Sequence, residues 1–137
     1  MSGGHIEIER LPSEPLIKLE APIVDARGVI RPLVDHTMRT AMLIESKKGS
    51  IRGNHYHKTD WHYCYMVSGR MEYYERPFGS GEKPRMIVVE KGQMAFSRPM
   101  IEHAMRFLED TVWVALFRNC RHQADYEADT VRVPLIR

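Results

Sequence analysis

No run of apolar residues in this chain approaches the roughly 18 needed to cross a bilayer as a helix, which predicts no membrane-spanning segment. The N-terminus, MSGGHIEIER, lacks the apolar core of a signal peptide. Cysteine is scarce: Cys64 and Cys120 are the whole complement. They form neither a paired ligand motif nor a disulfide framework, which points to a reducing, cytoplasmic compartment with both thiols packed as small hydrophobes. Charge of one sign is also lacking. Twenty Lys and Arg against 18 Asp and Glu leave only +2, and the basic residues are scattered, so nothing suggests a nucleic-acid partner. Lys47 and Lys48 are the one dense basic pair near an aromatic run and read as a solvated turn. There is no internal repeat and no low-complexity tract.

A chain of 137 residues suffices for one well-packed core and is short for two ordinary domains, so residues 1–137 read as a single domain. Residues 1–15 mix Gly, Ser, Pro and charge and are expected to form a loose arm. Beyond them lie strand-sized pieces: Leu16 to Pro22, Ile23 to Pro32, Thr40 to Ser46, Trp61 to Val67, Met86 to Glu90, Gln93 to Ser97, His103 to Phe107 and Thr111 to Arg118. Short strands at regular spacing with few amphipathic helices argue an all-β sandwich or barrel. In Thr111 to Arg118 both alternating sets are apolar, which calls for a second covering layer from an N-terminal strand or from another subunit. HQADYEADT reads as a helical turn, and VRVPLI as a closing edge strand marked by Pro134. Ser68 and Gly69 read as a two-residue hairpin turn. That register sets Val67 opposite Arg70, Met66 opposite Met71, Cys64 opposite Tyr73 and His62 opposite Glu75, so that Glu75 accepts a hydrogen bond from His62.

The chemistry concentrates between Gly49 and Gly69, GSIRGNHYHKTDWHYCYMVSG. In a strand alternate side chains share a face, so His55 and His57 converge while Tyr56 points away. A tight turn returns His62 beside them, and one further ligand completes a metal site open to a substrate. Arg52 is an odd number of residues from His55, so it faces the site only if Gly53 forms a bulge.

The spacing Gly49, five residues, His55, one residue, His57, four residues, His62, six residues, Gly69 resembles the first motif of the cupin superfamily, with His62 where that family usually has Glu. From Gly92 the second motif places a metal-binding His at His103. Pro99 lies one position late, Met100 stands in place of Gly and Phe107 in place of Asn. The resemblance implies a double-sheet cupin β-barrel (jelly roll), as a homodimer, with one divalent ion (Zn, Fe, Mn or Ni) held by His55, His57, His62 and His103. The segment Arg52-Gly53-Asn54-His55-Tyr56-His57-Lys58 is similar to the Arg-Gly-x-His-x-His-Lys of small cupins that modify nucleotide-linked deoxysugars, the 4-keto sugar ketoisomerases and epimerase-related proteins. DYEADTVRV resembles the ending of such proteins. In the ketoisomerases the resemblance implies that the residues matching His55 and His57 move protons themselves and bind no metal, so substrate class and metal pull in different directions.

Both fit isomerisation of a keto sugar, which needs a base for the proton α to the carbonyl and an acid or cation for the enolate. If metal occupies the histidines, Tyr73 or Glu75 becomes the base. Arg52, Arg98 and Arg106 are the candidate clamps for a thymidine or uridine diphosphate. The reading is a metal-binding cupin that isomerises or epimerises a nucleotide-linked keto sugar. The alternatives are an iron-dependent dioxygenase of a small organic substrate and a non-catalytic cupin that binds a carbohydrate or a metal.

Overall fold

A computed structural model describes residues 11–137. Its elements follow the chain as β1 (Ile23–Asp25), β2 (Gly28–Ile30), β3 (Thr40–Ser46), β4 (Ile51–His57), β5 (His62–Ser68), β6 (Arg70–Pro77), β7 (Arg85–Glu90), β8 (Met94–Ser97), β9 (Ile101–Phe107), β10 (Thr111–Phe117), α1 (Gln123–Asp129) and β11 (Thr130–Arg132). The strands form a four-stranded sheet, β3-β10-β5-β8, a five-stranded sheet, β11-β4-β9-β6-β7, and a separate β1-β2 ribbon. All pairings are antiparallel. This is the expected all-β, double-sheet jelly roll. No helix among the described residues is long and apolar enough to cross a membrane.

Alternation builds the core. Trp113, Ala115 and Phe117 of β10 are buried, while Val112, Val114 and Leu116 between them are half-buried. The buried set meets Met66 on its own sheet and Met71, Tyr73 and Phe107 on the other. Each large side chain withdrawn from water this way contributes about 1.5–3 kcal/mol. At Leu116 the expected covering layer comes from the N-terminal segment. Trp61, Tyr63 and Phe96 form a second cluster with Leu11, Ile17, Leu33 and Leu116. Leu43 on the edge strand β3 is left 70% exposed.

Of the arm expected over residues 1–15, residues 1–10 lie outside the described residues. From Leu11 the chain is held: Glu14 pairs with Arg85 at 2.9 Å, Phe96 donates its N–H to the Pro15 carbonyl at 2.8 Å, and Leu16 bridges to Ala95. The piece Ile23 to Pro32 becomes the β1-β2 ribbon. The closing edge strand is β11, paired to β4 and ending before Pro134.

One sequence expectation is overturned. Ser68-Gly69 is not a hairpin turn: β5 pairs with β10 and β8, β6 with β9 and β7, and Gly69 is where the chain crosses between sheets. Glu75 therefore lies opposite His103, not His62. Alternation reports which residues look inward, and Cys64, Met66, Met71 and Tyr73 all do. It does not report whether two successive strands meet edge to edge or face to face across the roughly 10 Å between packed sheets.

The crossover depends on a missing side chain. At φ +90 a Cβ on Gly69 would stand 2.3 Å from Thr111 Oγ1 and 2.7 Å from both the Asp110 carbonyl and the Thr111 Cα. Gly69→Ala should therefore lower the unfolding free energy by roughly 2–4 kcal/mol, a positive-φ penalty added to a backbone clash. Urea denaturation measures it, and a variant within about 0.5 kcal/mol of the parent would refute the tight crossover.

Candidate functional site at a histidine cluster

The site forms where β4 lies beside β9 and both face β5. His55 pairs with His103 across the β4-β9 ladder, and Arg52 pairs with Met105, with a bulge between Gly53 and His55. Two consecutive left-handed residues make the bulge, Gly53 at φ 83 and Asn54 at φ 56. Gly53 is there because a Cβ would stand 2.9 Å from the His103 carbonyl oxygen. Asn54 is held by a reciprocal pair of hydrogen bonds to the Ile136 backbone, both 3.0 Å. The extra residue reverses the alternation, so Arg52 lines the same cavity as His55 and His57.

His55, His57 and His103 bring their nitrogens within 4.8 Å of one another. Their ring centroids are 4.6 Å (His55 to His57), 4.7 Å (His55 to His103) and 5.6 Å (His57 to His103) apart. His62 reaches in from the opposite sheet, 5.2 Å from the His103 ring and 6.2 Å from the His57 ring. Its ring is as near to His103 as that of His57, but its nitrogens do not join the 4.8 Å grouping of the other three. The four line a cavity of about 170 Å³, completed by residues that include Met105, Trp113, Phe117, Arg121 and Tyr126.

Hydrogen bonds assign the tautomers of two rings. The Thr130 hydroxyl donates to the Tyr126 carbonyl at 2.5 Å, so it accepts from His57 Nδ1–H at 3.2 Å. His103 Nδ1 faces the Ile101 carbonyl at 3.3 Å, which only accepts. Both rings therefore turn a bare Nε2 lone pair away from these bonds. His57 Nε2, His103 Nε2 and His62 Nδ1 are all buried without a hydrogen-bond partner, an arrangement that buried polar atoms rarely adopt unless something else meets them.

Burial keeps the cluster neutral. It lowers His57 to about 4, helped by the Arg121 charge and opposed by Asp129, whose carboxylate is 4.0 Å from His57 Nδ1. It lowers His55 to about 3, helped by His57, Arg121 and Arg132. His62 and His103 are driven well below the ordinary imidazole value for the same first reason, each helped by its neighbouring rings. Neutral imidazoles with free lone pairs are the state that a divalent cation binds, so the three-histidine group fits a metal.

The other expected residues are dispersed. Tyr73 is fully buried, its hydroxyl 2.8 Å from Ser97 Oγ and its ring stacked 6.4 Å from His103. Burial holds its hydroxyl well above the ordinary value. Glu75 is half-buried, with its carboxyl raised by burial and partly restored by Arg85. Neither lines the histidine cavity, and His62 Nδ1 has no partner, so the expected Glu75 to His62 link at that nitrogen is absent. Arg98 is exposed just past β8. Arg106 points out of the sheet, donating to the Arg137 carbonyl and lying 4.0 Å from Glu72, because the inward positions of β9 go to His103, Met105 and Phe107.

Sequence reasoning missed the C-terminal cap. Asp129 accepts from the Thr59 N–H and hydroxyl and from the Asp60 N–H, at 2.7–3.0 Å, tying the turn before β5 to α1. Arg121 and Tyr126 complete the cavity from the same segment and line a second cavity of about 200 Å³ that also touches His57. The helical turn at HQADYEADT and the resemblance of DYEADTVRV marked this region in the sequence, but neither singled out Arg121, Tyr126 or Asp129.

No protein-family model matches the chain, and no curated protein matches it. Solved structures do. A mutant of the 3,4-ketoisomerase QdtA from Thermoanaerobacterium thermosaccharolyticum, in complex with TDP-4-keto-6-deoxyglucose, is similar at TM-score 0.70 and 18% identity over 89% of this chain and 88% of that one. A 3,4-ketoisomerase from Helicobacter canadensis is similar at TM-score 0.71 and 17% identity, over 88% and 90%. The capsular polysaccharide assembling protein CapF from Staphylococcus aureus is similar at 0.62 and 21%, over 88% of this chain and 33% of CapF. At these identities the likeness shows the fold.

Neutral burial has a pH consequence. The folded histidines bind protons more weakly than the unfolded chain, whose imidazoles titrate near 6.5, so the unfolded state takes up more protons as pH falls below that value. Their stabilising contribution is complete above about pH 6.5 and is lost on the way down through about pH 4 for His57 and about pH 3 for His55. The urea midpoint of chelator-treated protein should fall steadily from about pH 7 to about pH 5, and His62→Gln should flatten the slope. A midpoint unchanged across that range would refute the neutral cluster.

Proposed function

We propose that the chain is an isomerase that moves the carbonyl of a nucleotide-linked keto sugar to the neighbouring carbon, with His55, His57 and His103 holding one divalent cation. The observation that carries this reading is the convergence of buried, unpartnered ring nitrogens, His57 Nε2, His103 Nε2 and His62 Nδ1, on one cavity. The Arg52 to Lys58 segment and the shared fold with 3,4-ketoisomerases, one of them bound to TDP-4-keto-6-deoxyglucose, support the substrate class.

The reaction balances without a redox partner. The proton on the hydroxyl-bearing carbon beside the carbonyl leaves, its bonding pair forms the double bond of the enediolate, and the former carbonyl oxygen takes up a proton; the neighbouring hydroxyl gives up its own proton as it becomes the new carbonyl, and a proton returns to the former carbonyl carbon. With three histidines engaged as ligands, His62 is the imidazole left free to take and return the proton, at its unpartnered Nδ1. A divalent cation held by His55, His57 and His103 would supply Lewis-acid stabilisation of the developing oxyanion. A donor set of imidazoles without a carboxylate suits zinc, iron or nickel better than manganese. Arg52, pinned by Ser46 Oγ at 2.7 Å and the Glu45 carbonyl at 3.1 Å at the cavity edge, is placed to hold the diphosphate.

A homodimer accompanies this reading. Ile23, Val24, Val29 and Ile30 on the β1-β2 ribbon are 58%, 67%, 48% and 61% exposed, and a two-stranded ribbon is marginal in water by itself. The free thiols of Cys64 and Cys120 fit a reducing cytoplasm.

Elemental analysis of untagged protein should find about one metal per chain, reduced at least tenfold by His57→Ala or His103→Ala and retained by His62→Ala. Calorimetry should show TDP binding, and NMR in deuterated water should show exchange α to the keto group of TDP-4-keto-6-deoxyglucose, at least 100-fold slower in His62→Ala. Absence of both TDP binding and exchange would overturn the isomerase; oxygen uptake by iron-loaded protein would then point to the dioxygenase. Light scattering should give a dimer, converted to monomer by Val24→Asp, and a monomeric parent at micromolar concentration would refute that assembly.

A further inference from the structure

Arg121 is the cavity group that the proposed reaction leaves without a task. Its guanidinium is clamped between two rings, 3.9 Å above the Phe117 centroid and 4.1 Å from that of Tyr126. Such a sandwich occupies both faces of the plane and leaves the N–H edges free to donate. One edge meets Asp60 Oδ2 at 3.5 Å, the long limit of a hydrogen bond. Asp60 is buried and takes the Asn119 N–H on its other oxygen, Oδ1, at 3.0 Å, so Arg121 spends one N–H as the counter-charge of this carboxylate and keeps the rest. The Arg121 side chain is 18% exposed, and it lines both the histidine cavity and the adjoining one, so its remaining donors stand at their junction. The two rings that hold it lie against the histidines, Tyr126 5.8 Å from the His57 ring and Phe117 5.0 Å from the His62 ring, which places it beside the reacting region and not at a remote rim.

We propose that Arg121 is the catalytic residue that donates to the substrate's carbonyl oxygen and holds that oxygen as it becomes the enediolate. This rests on the isomerase reading. The α C–H bond breaks, the negative charge gathers on the former carbonyl oxygen, and the guanidinium fork, held by the two rings before the reaction starts, needs no rearrangement to meet it. Donors fixed ahead of time stabilise a charge that develops only in the transition state, so the effect should fall on turnover and not on binding of the nucleotide.

The test uses Arg121→Gln and Arg121→Lys in the intact protein, with metal content and thermal midpoint measured alongside. Exchange of the α-hydrogen of TDP-4-keto-6-deoxyglucose should slow about 100-fold or more in Arg121→Gln and at least about tenfold in Arg121→Lys, which keeps the charge but not the planar fork. The KM for the sugar and the Kd for TDP should change less than about threefold. Either variant exchanging at the parent rate overturns the assignment. Oxalate, a planar dianion resembling an enediolate, separates this proposal from the substrate reading. Its calorimetric affinity should drop at least about tenfold in Arg121→Gln at equal metal content. Equal affinity in the two proteins, or no binding to the parent, overturns the role of Arg121 whatever the sugar does. Weakened oxalate binding with no sugar exchange in the parent would retain Arg121 as the oxyanion donor and reject the keto sugar.

Discussion

The approach of β4 to β9 at Gly53 is the constraint on which the site depends. A backbone passing within 2.9 Å of where a Cβ would sit admits only glycine, and the left-handed pair Gly53-Asn54 that results inserts one residue into the ladder. Before the bulge Arg52 faces inward, and after it His55 and His57 do. Regular pleating would have sent either the arginine or the histidines to the outside. The bulge is held by Asn54 bonding the C-terminal backbone at Ile136, so the chain end helps to set the geometry of a site some eighty residues earlier.

Burial and charge then act in the same direction on the imidazoles. Taking His57 from its ordinary value to about 4 corresponds to roughly 3 kcal/mol against protonation, and the Arg121 cation adds to desolvation at three of the four rings. The group is thereby stocked with lone pairs in place of protons. The bonds of His57 to Thr130 and of His103 to the Ile101 carbonyl aim those lone pairs, in the way that outer partners commonly orient metal-binding histidines. His62 belongs to the other sheet, so any shift of the sheets relative to each other changes its distance from the remaining three and leaves their grouping intact.

The C-terminal segment closes the arrangement. Helix α1 buries none of its own residues and is too short to be stable alone, yet Asp129 at its end gathers three hydrogen bonds from the turn before β5. Thr130 and Tyr126 reach His57, and Arg121 rests on Phe117 and Tyr126. A stretch that reads in one dimension as a helical turn and an edge strand is in three dimensions also the wall of the cavity.

What the sequence determined by itself was everything that depends on local spacing. Short β-favouring runs identified most of the strands, including Thr40–Ser46 to the residue, though Leu16 to Pro22 forms only a single bridge at Leu16; the double-sheet fold came from the motif resemblance. Histidine and glycine spacing picked out His55, His57, His62 and His103, and the odd offset of Arg52 correctly required a bulge at Gly53. Tertiary structure decided what depends on which strands are neighbours. Gly69 carries the chain between sheets instead of turning a hairpin, because facing inward is satisfied equally well across a sheet gap as along a ladder; Glu75 thus falls opposite His103, and Tyr73 turns to Ser97. Arg106 turned outward for the same reason of register. The division of four histidines into a close three and a separate one, and the capture of Arg121 between two rings, follow from distances between segments far apart in the chain, and no one-dimensional pattern encodes those distances.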